Sequence, residues 1–101
     1  MCIYADVYPC LNTLCLKIGN KTYRLPNAVA VYLIGVYKYG LYKDPSYLNR
    51  TVTINGTVKV TVEKDKFLIK FRCYRICITY QQMAELLDLY KRLGLPLPVP
   101  E

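Results

Sequence analysis

The chain contains no histidine and no tryptophan. Without histidine, the usual proton carrier near neutral pH is missing, and a zinc site would have to be built from cysteine alone. The five cysteines, Cys2, Cys10, Cys15, Cys73 and Cys77, are odd in number, and no two of them form a C-x-x-C pair. Their spacings resemble no zinc module. Carboxylates are also scarce, and the seven present are scattered over expected turns and one expected helix. Paired carboxylates for acid–base work are therefore absent, and no base is placed to activate a cysteine. The expectation is a protein with no catalytic residues, no metal and no cofactor.

Long apolar runs are missing too. The longest spans residues 28–37, broken only by Gly35, against the roughly 18–20 residues that cross a bilayer. The first ten residues, MCIYADVYPC, lack the basic stretch and apolar core of a secretory signal. These features predict a soluble, intracellular, cytoplasmic protein without a membrane span. In that setting the cysteines read as buried free thiols acting as small hydrophobes. Disulfides would be expected only if the source were a hyperthermophile, where intracellular bridges occur.

What the chain does have is a basic surplus and ample apolar material. Fourteen Lys and Arg against seven Asp and Glu give a net charge of +7, and hydrophobic residues make up 53% of the sequence. Residues 1–50 hold six bases and two acids, residues 51–101 eight bases and five acids. The excess is thus spread over both halves, which suits either a polyanion-binding surface or a merely solvated one. A chain of this length forms one domain with a small core.

Periodicity places the elements. Residues 2–8 alternate weakly as an edge strand that Pro9 would end. Residues 14–18 and 21–25 flank Gly19-Asn20, a two-residue hairpin loop that pairs Ile18 with Lys21 and Leu16 with Tyr23. A nearly all-apolar helix over residues 28–39 follows, stopped by Gly40. A second hairpin joins residues 50–54 to 57–62. A three-residue loop ending on Gly56 there pairs Val52 with Val58 and keeps the apolar faces together. Phe67, Ile69 and Phe71 point inward, and a bend near residues 73–75 resets the pattern to Ile76 and Ile78. Thr79 and Gln82 form a capping box before a helix with Met83, Leu86, Leu87, Tyr90 and Leu93 as its stripe, ended by Gly94. Residues 95–101 form an extended Pro-rich tail whose leucines would lie on a surface.

A shift of 53 residues aligns Leu16, Lys17 and Ile18 with Ile69, Lys70 and Phe71, and Leu33 with Leu86. A duplication of residues 13–40 as residues 66–94 is one explanation, and shared apolar periodicity is the other. The fold expected for residues 1–94 is a single α+β domain: an antiparallel sheet of five to six strands with two helices on one face, in two strand-strand-helix units that a pseudo-two-fold axis would relate.

Helices on one face leave the other face wet. The candidate nucleic-acid-binding residues on it are Lys17, Arg24, Lys59, Lys70 and Arg72, with Tyr74 and Arg75 near the bend and Thr51, Thr53 and Thr57 supplying hydroxyls. Bases contact phosphates, and exposed tyrosines stack on unpaired bases. Charged outward positions also occur on any half-exposed sheet, so the signal is suggestive rather than specific. The alternative is a homo-oligomeric structural or interaction module. There a homodimer would bury the apolar helix 28–39 or the tail 95–100, and the basic charge would be incidental.

The strand RICIT (75–79) runs directly into the helix YQQMAELL (80–87) after three earlier strands. Over residues 50–94 this resembles the four-strand-plus-helix unit of whirly-type and related transcriptional-coactivator single-stranded-DNA-binding domains, although Tyr74 and Arg75 stand where that family has a glycine. The resemblance implies single-stranded nucleic acid as partner. In style the chain is similar to small proteins of crenarchaeal viruses, being short, tyrosine-rich, cysteine-bearing and free of histidine, which implies a viral protein working in a host cytoplasm.

Overall fold

The structure, a computed structural model, describes residues 2–101. It is an α+β fold with eight strands and two helices among those residues. The strands form two sheets where the sequence suggested one. β5 (Thr51–Ile54), β6 (Val58–Val62), β7 (Lys66–Phe71) and β8 (Tyr74–Thr79) make an antiparallel meander. β1 (Ile3–Tyr4) joins β8 in parallel as the outer strand. β2 (Asp6–Cys10), β3 (Thr13–Ile18) and β4 (Lys21–Arg24) form a separate antiparallel sheet.

The N-terminal segment explains the division. The single strand expected over residues 2–8 breaks at Ala5, where the chain leaves the larger sheet and enters the smaller. Ala5 is buried, and its carbonyl accepts a hydrogen bond from Gln82 Nε2 at 2.8 Å. Pro9 does not end β2, because β2 is the outer strand of its sheet and has room for a residue without an N–H.

The first hairpin has the expected register, Ile18 opposite Lys21 and Leu16 opposite Tyr23. The second differs. Its three-residue loop is Asn55, Gly56 and Thr57, so Ile54 faces Val58 and Val52 faces Val60. Parity, and with it the apolar face, is as the pattern requires, but the pairing of Val52 with Val58 is overturned. Asn55 and Gly56 both take positive φ, at 55° and 71°, which lets the loop close one position later. The phase change after Phe71 is a tight turn at Arg72 and Cys73, and β8 begins at Tyr74 opposite Phe71.

α1 (Asn27–Lys38) buries Val29, Ala30, Leu33, Ile34 and Val36 and packs on β3. α2 (Tyr80–Leu93) begins at the capping box: Gln82 N–H donates to Thr79 Oγ1 at 3.1 Å and Thr79 N–H donates to Gln82 Oε1 at 2.9 Å. It buries Met83, Leu86 and Tyr90 and touches both β2 and β8, so it bridges the two sheets. Tyr90 donates to the Thr13 carbonyl at 3.1 Å, tying α2 to β3. Where the two helices approach, the rings of Tyr37, Tyr42 and Tyr80 gather, Tyr42 and Tyr80 at 4.2 Å between centroids.

The tail is docked rather than free. Pro98 is buried and Leu97 packs on the core. Val99 N–H donates to Asn12 Oδ1, and Asn27 Nδ2 donates to the Val99 carbonyl, both at 2.9 Å. Four of the five cysteines are not free thiols: Cys2 bonds to Cys77 and Cys10 to Cys15, while Cys73 is free and exposed. Sequence spacing could not reveal the first bridge, because it depends on β1 lying beside β8.

The 53-residue offset recurs in the geometry. It carries β3 onto β7 with the same bounds, residues 13–18 onto 66–71, and the start of α1 onto the start of α2. Both hairpin registers follow: Asp6 opposite Lys17 becomes Lys59 opposite Lys70, and Lys17 opposite Thr22 becomes Lys70 opposite Arg75. The tight turns correspond as well, with Gly19 at φ 60° matching Arg72 at φ 57°.

Candidate nucleic-acid interface

The larger sheet has one face of valine, isoleucine and phenylalanine. Val60, Ile69 and Ile76 stand side by side on it and are fully buried. Strand alternation turns the intervening residues outward. Register then fixes what lies beside what. Thr53, Lys59, Lys70 and Arg75 form one row across four strands. The next row is Thr51, Thr61, Leu68, Cys77 and Tyr4.

Lys59, Lys70 and Arg75 are exposed and directly opposite one another in turn. With strands about 4.8 Å apart, three positive charges fall within about 10 Å. Like charges directly opposite on neighbouring strands disfavour the fold. No carboxylate relieves them: the ion pairs among the described residues join Lys66 to Glu63 and Asp65, and Arg92 to Asp88. Lys66 shares the outer face, but Glu63 at 3.5 Å and Asp65 at 3.3 Å neutralise it.

Arg72 sits at the β7–β8 turn, off the row and on the side of Tyr23 and Phe71. Its guanidinium lies 5.5 Å from the Tyr23 ring centroid and 5.4 Å from that of Phe71, so the aromatic faces hold the charge in place. Tyr74 does not belong to the wet face. It sits beside Phe71 on the inner side, and its hydroxyl lies 3.0 Å from that of Tyr23. That hydrogen bond, first among the causes, raises its phenol pKa above the ordinary value. A ring so engaged is poorly placed to stack on a base.

The remaining candidates lie elsewhere. Lys17 and Arg24 are on the outer face of the smaller sheet, so the single wet face of the sequence reading is divided in two. Lys17 stands opposite Asp6. Arg24 Nη2 donates to the Leu11 carbonyl at 2.7 Å, which closes the turn before β3. Thr51 Oγ1 bonds Thr61 Oγ1 across β5 and β6 at 2.6 Å, and Thr57 lies in the hairpin loop. Sequence reasoning missed Tyr4, which is 62% exposed and shares the outer face with Leu68 and Arg75. Only the parallel pairing of β1 with β8 puts it there, and a two-residue strand leaves no periodic signal.

Among the described residues no cluster of His, Cys, Asp or Glu could hold a metal ion, and no helix is long and apolar enough to cross a membrane. What the outer face can do is offer positive charge in a line, threonine hydroxyls beside it and one exposed ring. No protein-family model, no curated protein and no solved structure matches the chain.

Proposed function

We propose that the outer face of the larger sheet binds single-stranded nucleic acid, with Lys59, Lys70 and Arg75 on successive phosphates and Tyr4 against a base. The observation that carries this is the contrast between the two sheets. The same row positions, with the same register, hold Asp6, Lys17 and Thr22 in the smaller sheet and Lys59, Lys70 and Arg75 in the larger. The fold therefore has no need of bases there, and in the smaller sheet a carboxylate faces the lysine. An unrelieved row of like charge that weakens the fold is what a polyanion site requires.

A single strand suits the surface better than a duplex. The row is short, spanning the width of three strands, and lies beside an exposed ring that can stack only on an unpaired base. The resemblance of residues 50–94 to whirly-type domains supports the same partner. The two disulfides fit an intracellular setting where the source is a hyperthermophile.

The test is a fluorescence-anisotropy titration with labelled single-stranded and duplex DNA across a salt series. Three phosphate contacts predict a log–log salt slope of about −2 for a single strand, and tighter binding to single strands than to duplex. No binding at low ionic strength would overturn the proposal.

A further inference from the structure

The two sheets expose four outer strands, and three of them carry features that block pairing with another chain. β1 is two residues long, β2 contains Asp6 and Pro9, and β4 contains Lys21 and Arg24. The fourth, β5, reads Thr-Val-Thr-Ile, with no charge, no proline and no glycine. Its backbone is open as well. The Arg50 carbonyl accepts from Val62 N–H at 3.2 Å, so the bonded pairs along β5 and β6 fall at every second residue, 50 with 62, 52 with 60 and 54 with 58. Thr51 and Thr53 therefore direct their N–H and C=O groups away from β6, and among the described residues no backbone hydrogen bond from another element reaches them.

We propose that β5 pairs antiparallel with β5 of a second copy of this chain, so that two larger sheets join into one. The occupant is a second copy because the strand is complementary to itself. A two-fold axis normal to the sheet keeps both outer faces on one side, sets threonine beside threonine there, and sets Val52 and Ile54 beside their counterparts on the inner side. Charge permits the match. Centred on Thr53, the closest opposed bases are the two Lys59 residues, three strand spacings or about 14 Å apart, beyond the Debye length of about 8 Å at physiological salt. Beyond the Ile54 end of the strand, a recess of about 500 Å³ lined by Ala28, Val31, Tyr32, Asn55 and Pro100 adds apolar area that a strand pair overlapping over three residues would otherwise lack. A homodimer expected from the apolar helix and the tail thus acquires a different seam, the β5 edge with part of α1 beside it.

The pairing has a consequence for the charged row. With Thr53 opposite Thr53, the order Arg75, Lys70, Lys59, Thr53 continues into its mirror sequence, giving one track across eight strands, about 34 Å long.

Sedimentation velocity in the high-micromolar range, without nucleic acid, tests the dimer independently of binding. The comparison is wild type, Thr53→Ala, Thr53→Pro and Thr53→Lys. Proline at 53 removes an N–H that points outward, so it leaves the β5–β6 ladder intact and deletes a bond to the partner. Lysine there places a charge at the seam without relying on proline being tolerated. The expected result is a dimer for wild type and Thr53→Ala, and at least a tenfold weaker dimer for Thr53→Pro and Thr53→Lys, with unchanged circular dichroism. A monomeric wild type, or a Thr53→Lys protein that remains as dimeric as wild type, would overturn the proposal.

Discussion

Replacing Lys70 by glutamine should make the protein more stable and a poorer binder at once. Lys70 is the middle of the row, with Lys59 directly opposite on one side and Arg75 on the other. Opposed charges across strands are worth about 0.2–1 kcal/mol each, and two repulsions vanish with one substitution, so the gain is about 1 kcal/mol at low ionic strength. For a domain of this size that is a rise in Tm of about 4–8 °C, shrinking as salt is added. The binding curve should move the other way, with the single-strand salt slope losing about 0.7 as one phosphate contact is lost. Lys17→Gln is the internal control. Lys17 occupies the corresponding position in the smaller sheet but faces Asp6, so its removal should cost a few tenths of a kcal/mol and leave the salt slope alone. Thermal melts and anisotropy titrations on the two variants and wild type suffice. A Lys70→Gln protein that melts lower than wild type at low salt would refute the like-charge argument. One that binds with an unchanged slope would refute the site.

Thr79→Ala removes half of the capping box and should cost about 1 kcal/mol in chemical denaturation, visible as a lower midpoint with an unchanged slope. The Cys2–Cys77 bridge joins residues 75 apart, so Cys2→Ser should cost about 4 kcal/mol on the chain-entropy account, while the Cys10–Cys15 bridge, five apart, is worth about 2 kcal/mol. Melting with and without reductant, and the intact mass before and after alkylation, would show whether both bridges are formed. Burial, before all other causes, raises the phenols of Tyr80, Tyr32 and Tyr90 above their ordinary value. The neutral phenols are then favoured in the folded state. Stability should be fully present below the unfolded-state value of about pH 10 and decline as pH rises through the folded-state values. Tyrosine difference absorbance that shows all eleven phenols ionising together before any loss of circular dichroism would contradict this.

Local features were legible in the sequence because short-range chemistry specifies them. The Gly19-Asn20 loop fixes the register of β3 and β4, and Thr79 with Gln82 fixes the start of α2, each within a few residues. The loop at Asn55 was harder. Alternation sets the parity of β5 against β6 but is indifferent to a slip of two residues, and the left-handed backbone of Asn55 decided between them. Three features depend on distant partners and left no local trace: the parallel addition of β1 to β8, the switch of sheets at Ala5, and the return of Val99 to Asn12 and Asn27. The site divides in the same way. Lys59, Lys70 and Arg75 could be placed on one face from alternation alone, whereas Tyr74 was misassigned because the turn at Arg72 and Cys73 begins β8 on the inner side.

The repeated unit gives the proposed site its sharpest argument. Two strand-strand-strand-helix units with matching register solve the same packing problem, so positions that serve packing should hold similar residues in both. They do: Leu14 and Phe67, Leu16 and Ile69, Leu33 and Leu86 correspond at the 53-residue offset, and all are buried. Outward positions are free of that demand, and there the units part. Asp6, Lys17 and Thr22 form a row balanced in charge, while Lys59, Lys70 and Arg75 form one that repels itself. Gly19 meets its φ of 60° without steric cost, while Arg72 at φ 57° keeps a side chain in a backbone region that L residues rarely adopt. Arg72 stands at the β7–β8 end of the larger sheet, but its guanidinium rests on the inner-side rings of Tyr23 and Phe71, so the row of Lys59, Lys70 and Arg75 alone charges the outer face. Replacing Arg72 by glycine should therefore raise Tm and leave the binding of single-stranded DNA as in wild type. An Arg72→Gly protein that binds more weakly than wild type would refute the confinement of the site to the three residues of the row.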